Sequence, residues 1–147
     1  EVYRNHSPKI TLPQDSRDTL REISTKYKLA LLTDGFLPAQ KLKVQALKIE
    51  KYFKCIGYTE QLGREHWKPS PLGFEKIMEH LQVSPQNCAC IADNLAKDFI
   101  SPNKMKMKTI RIICPNAIKK RQAPDESAEP MYTIKSFNEL NDLLSKI

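Results

Sequence analysis

The chain has 147 residues, 40% of them hydrophobic and 28% charged, the composition of one globular domain long enough to bury a core. No run approaches the roughly eighteen apolar residues of a membrane span, which excludes a transmembrane helix. The formal charge is +7, but its densest basic stretch (Lys104, Lys106, Lys108, Arg111, Lys119, Lys120, Arg121) has no interleaved aromatics and fits no binding motif. It reads as a solvated face with a mild pull on anions, and nucleic acid is not the expected partner.

The opening EVYRNHSPK carries neither the apolar core of a signal peptide nor an initiating methionine. A fragment of a longer protein is therefore expected. From Asp15 to Tyr27, Leu20 and Ile23 fall at helical spacing, with Asp15 or Ser16 as the cap. LALLTDG, Leu29 to Gly35, is a short continuous apolar run that stops at polar residues and a glycine, the pattern of a buried strand ending in a loop. Ala39 to Glu50 reads as a helix with Leu42, Ala46, Leu47 and Ile49 inward. Cys55 to Thr59 is a second strand, followed by the loop QLGREHWKPSP. Ser70 caps the next helix, which runs through His80 with Pro71 in its first turn.

Cys88 to Ala92 is a third strand, Asp93 to Ile100 a loop into a helical turn, and Thr109 to Cys114 a fourth strand. Pro115 to Pro130 is polar with three prolines and reads as a surface loop. Tyr132 to Ile134 is a short edge strand. Ser136 with Glu139 forms a capping-box pattern before a last helix whose apolar stripe is Leu140, Leu143 and Leu144.

The cysteines are Cys55, Cys88, Cys90 and Cys114. Cys88 and Cys90 share one face of a strand and are badly placed to bridge. No CxxC occurs, and His6, His66 and His80 lie at no ligand spacing, so zinc is not expected. Four buried, reduced thiols in a cytoplasmic protein is the reading.

Apolar strands alternating with helices imply an α/β fold, a parallel sheet covered on both faces, with ligands beyond the carboxyl ends of the strands. Those ends carry Thr33-Asp34-Gly35 and Asp93-Asn94, with Lys68 in a loop after a third strand. Taken singly, these are a common Asp-Gly turn, a solvated lysine, a helix cap and, at Asp98, a surface charge. Taken together they are a phosphate site. A hydroxyl and backbone N–H groups cradle phosphoryl oxygens, a lysine neutralises developing charge, and two carboxylates offer hard oxygen ligands to magnesium.

LLTDG, HWKPSPLGFEKI and IADNLAKD, in that order, resemble motifs two, three and four of the haloacid dehalogenase-like (HAD) hydrolases, over roughly Pro8 to Ile113. The resemblance implies a three-layer αβα Rossmann-like core in a single domain, 1–147, and a magnesium-dependent phosphatase of small phosphate esters working through an aspartyl-phosphate. It implies that Thr33, with Asp34 and Gly35, binds the phosphoryl group and that Lys68 stabilises its charge. Asp93 would be a direct magnesium ligand, with Asp98 supporting metal, water or lysine. Ala92 stands where the family usually has glycine. The family's D-x-D-x-T, which supplies nucleophile and acid/base, occurs nowhere in this sequence, nor does the cap segment that follows it. Its strand normally lies between the strands ending at Thr33 and Asp93, so the sheet is expected to be incomplete at its centre. An unfilled edge invites a strand-donating partner segment or a homo-oligomer. The expectation is thus a phosphatase seen without its nucleophile and inactive by itself, the alternative being a non-catalytic HAD-like binding or interaction module.

Overall fold

The structure, a computed structural model, describes residues 7–113 and 122–147. The apolar run at Ala30–Thr33 forms β1, and Cys55–Tyr58 forms β2. They pair in parallel, Ala30 opposite Cys55 and Thr33 opposite Tyr58. A second parallel sheet holds β3 (Ala89–Ala92), β4 (Lys108–Ile112) and β5 (Tyr132–Ile134) in that order, with Ala92 opposite Arg111 and Ile112 opposite Ile134. Among the described residues no ladder joins β1 to β3. The sheet is incomplete at its centre, as expected.

Helices hold the two half-sheets together from both faces. On one face α1 (Gln14–Lys26) and α5 (Leu140–Lys146) bury Ile23 and Leu140 against Ile110, Ile112 and Ile134, and Leu29, Ala89 and Ile91 pack onto the same cluster. On the other, α3 (Leu72–Leu81) buries Phe74 and Met78 with Met107, and Leu32, Cys88 and Cys90 join them. Ala89 and Ile91 thus face one layer and Cys88 and Cys90 the other, the two-residue alternation of a strand. Each buried Phe or Met side chain contributes about 1.5–3 kcal/mol. The short α4 (Ile100–Lys104) packs on β4 through Thr109, whose hydroxyl lies 2.8 Å from Asn103 Oδ1. No helix among the described residues is long and apolar enough to cross a membrane.

Several local expectations change. The α1 cap position is Pro13, and Asp15 instead accepts the Ser16 N–H at 2.8 Å within the first turn. The second helix, α2, spans Ala39–Leu47 and stops where Lys48 turns left-handed (φ 56°); Val44, not read as inward, is its buried residue. Pro71 takes the α3 cap position, while the Ser70 hydroxyl accepts from Leu72 N at 3.4 Å. Glu139 reaches back to Ser136 N at 3.0 Å, as its spacing predicts. The polar loop before β5 is not all surface. Ala128 is fully buried there, tied down by the Asn103 amide donating to Ser127 O and Glu129 O. Cys55, Cys88 and Cys90 are free thiols, partly buried rather than wholly so. Cys114, His6, Lys119, Lys120 and Arg121 lie outside the described residues.

Between β1 and β3 runs a groove of about 1010 Å³, walled by Ala30, Leu31 and Leu32 on one side and Ala89, Cys90 and Ile91 on the other. Lys68, Asp93 and Asp98 stand at its rim.

Candidate active site

Because all five strands run parallel within their sheets, the loops leaving β1, β2 and β3 carry the polar residues that the sequence singled out. Four charged side chains there form two crossed ion pairs. Lys68, in the loop between β2 and α3, places Nζ 2.9 Å from Asp98 Oδ1, with side chains 13% and 6% exposed. Lys97, from the loop after β3, places Nζ 2.9 Å from Asp34 Oδ2 at the end of β1, with 35% and 5% exposed. Each half-sheet therefore gives one cation and one anion to the other. Ser101 Oγ adds a third link across, donating to Pro69 O.

Asp34 is the most heavily bonded of the four. Its Oδ1 accepts from Thr59 Oγ1 at 2.7 Å and from Lys68 N at 3.2 Å, while Oδ2 takes Lys97. Burial pushes its carboxyl up, but the bonds from Lys97, Thr59 and the Lys68 backbone, with the Lys68 charge, outweigh that and hold it below its ordinary 3.8. Asp98 is likewise no surface charge. Its Oδ2 accepts Asn94 N at 3.0 Å, so one carboxylate fixes both Lys68 and the loop that begins at Asp93.

Thr33 Oγ1 lies 3.1 Å from Gln40 Oε1, its proton donated to the amide oxygen. Gly35 has φ +127°, which strains any other residue, and a Cβ there would also push the Gln40 side chain aside. Asp93 is exposed at the end of β3. Its carboxylate takes no cation among the described residues. Cys90, beside Asp98, is pushed up to about 12, by burial above all, with Asp98 raising it further against the Lys68 charge. It stays a thiol at neutral pH and is no nucleophile.

Magnesium keeps several waters and binds through one or two carboxylates plus substrate phosphate. Exposed Asp93 is a hard oxygen donor of that kind, whereas Asp98 has Oδ1 engaged by Lys68 and Oδ2 by Asn94 N. No cluster of three or more His, Cys, Asp or Glu suited to a metal occurs among the described residues. The sequence-predicted Thr33, Asp34, Gly35, Lys68, Asp93 and Asp98 all fall at this end of the strands. Sequence reading missed Lys97, Thr59 and Gln40. Only Thr59, at the end of an apolar strand, carried a signal of its own.

The family described as "Haloacid dehalogenase-like hydrolase" matches residues 1–112. The N-acylneuraminate-9-phosphatase of Homo sapiens is 29% identical over 138 residues, covering 94% of this chain and 54% of the relative. The glyceraldehyde 3-phosphate phosphatase of Methanopyrus kandleri is 33% identical over 93 residues, covering 63% of this chain and 38% of the relative. In fold the chain is similar to YfnB from Bacillus subtilis, solved bound to magnesium, with a TM-score of 0.76 at 23% identity over 90% of this chain and 56% of that one. The chain spans about half the length of the curated relatives it matches.

Proposed function

The chain belongs to the haloacid dehalogenase-like hydrolases, and from that membership we propose that it forms the phosphoryl-binding part of a magnesium-dependent phosphatase of small phosphate esters. The observation that carries this reading is the buried Lys68–Asp98 pair standing at the same strand ends as the Thr33–Gly35 turn. A mostly buried cation already placed by its carboxylate partner can stabilise charge on a transferring phosphoryl group with little reorganisation. The phosphatase names of the two relatives quoted above support the same substrate class.

In this reading Thr33 turns its hydroxyl from Gln40 to a phosphoryl oxygen, and Lys68 binds a second oxygen while Asp98 holds it in place. Asp93 would hold magnesium, which when bound adds a Lewis acid on the phosphate oxygens. A neighbour in fold was solved with that ion. The chain has no D-x-D, and the attacking carboxylate would enter on a strand in the groove between β1 and β3, from another segment of the natural protein or from a partner chain. Its oxygen would form the new bond to phosphorus as the ester P–O bond breaks, the leaving oxygen taking its proton from the acid/base carboxylate of that same segment. Water would then hydrolyse the acyl phosphate to inorganic phosphate and regenerate the carboxylate. The free thiols of Cys55, Cys88 and Cys90 suit a reducing, cytoplasmic setting.

A second reading is a non-catalytic module that binds phosphate at the same strand ends without turning it over. Turnover of p-nitrophenyl phosphate by the natural full-length protein separates the two. Magnesium-dependent hydrolysis supports the phosphatase, and phosphate binding without hydrolysis supports the module.

A further inference from the structure

Asp34 sits with its side chain 5% exposed at the end of β1, where the proposed phosphoryl group would lie. A buried carboxylate there repels a phosphate and attracts Lys68, whose charge already acts on it. Yet Lys68 is committed to Asp98 at 2.9 Å, and only its backbone N–H touches Asp34. What resolves the competition is Lys97, which reaches across from the β3 loop to Asp34 Oδ2. At 35% exposure it is the most exposed of the four members of the two pairs.

We propose that Lys97 is a positioning residue, neutralising Asp34 so that the Lys68 ammonium is left to Asp98 and the phosphoryl group. The inference rests on the phosphatase reading. Lys97 touches neither substrate nor reacting atoms. It acts through Asp34 on the Thr33–Gly35 turn and on the direction of Lys68. Without it, Asp34 keeps an unpaired oxygen in a buried place, and Lys68 is drawn toward it.

The test is inhibition of p-nitrophenyl phosphate hydrolysis by inorganic phosphate in the natural full-length protein, for wild type, Lys97→Met, Lys97→Arg and Lys97→Met/Asp34→Asn. Lys97→Met raises the phosphate Ki about tenfold or more and lowers kcat/KM in step, and Lys97→Arg recovers most of the affinity. The double variant, whose neutral amide needs no cation, recovers phosphate affinity to within about threefold of wild type. A merely structural lysine predicts something else: Lys97→Met would lower the urea midpoint while the folded protein kept a wild-type phosphate Ki. A wild-type Ki in Lys97→Met, or a double variant no better than the single one, overturns the inference while leaving the phosphatase reading intact. A wild-type protein that neither hydrolyses the ester nor binds phosphate overturns the phosphatase reading itself, and this inference with it.

Discussion

Lys68 and Asp98 stand 2.9 Å apart at 13% and 6% exposure, in loops that follow strands of two different half-sheets. The pair is both a clasp across the open groove and the charge centre of the proposed site. Removing one partner leaves the other buried and unpaired, which costs about 3–5 kcal/mol. Lys68→Met therefore lowers the urea midpoint sharply, and Lys68→Met/Asp98→Asn lowers it less than the single change does. Equal midpoints for the two variants would show that the buried charge is not what the clasp protects against.

The pH dependence of stability follows from Asp34. Its folded pKa is depressed, so its contribution is fully present above the unfolded value of about 3.9 and is lost as pH falls through the lower folded value. The stability difference between wild type and Asp34→Asn is thus largest near neutrality and shrinks in acid. Urea unfolding from neutral pH down to pH 2 or so reads this directly. A difference that grows in acid would mean the carboxyl is held above its ordinary range.

At Gly35, alanine meets both the positive φ and the Gln40 amide. Gly35→Ala costs about 1–3 kcal/mol by thermal or urea unfolding. Adding Gln40→Ala removes the collision but not the backbone strain, so it recovers only part of that loss. Full recovery would place the whole cost in the side chain.

Cys90 gives a chemical reading of the core. Only partly buried but with its thiol pushed up to about 12, it is alkylated slowly at pH 8 or so in the folded protein and faster once urea unfolds the chain. Rapid labelling of Cys90 under native conditions would mean that the groove admits reagent to the Cys90 face of β3.

Much of the fold was legible because the strands are continuous apolar runs, and such runs between amphipathic segments have few other solutions. Tyr132 to Ile134 emerged with the bounds that its sequence suggests, and the central gap followed from the absent strand. The end of α2 was not legible, since Lys48 takes a left-handed conformation that glycine or asparagine usually marks. Ala128 lies in a polar, proline-rich loop, and its burial depends on Asn103 from a distant element. Of the site, the residues of the strand-end motifs could be found. Lys97 could not, because nothing local says that a lysine beside Asp98 turns back to the end of β1.

Hydrolysis of p-nitrophenyl phosphate by the natural full-length protein, with and without magnesium, in wild type and Lys68→Ala, tests the central claim most directly. The account predicts turnover only with magnesium, and a loss of at least about a hundredfold in kcat on removing the lysine. Turnover undiminished in Lys68→Ala would contradict it.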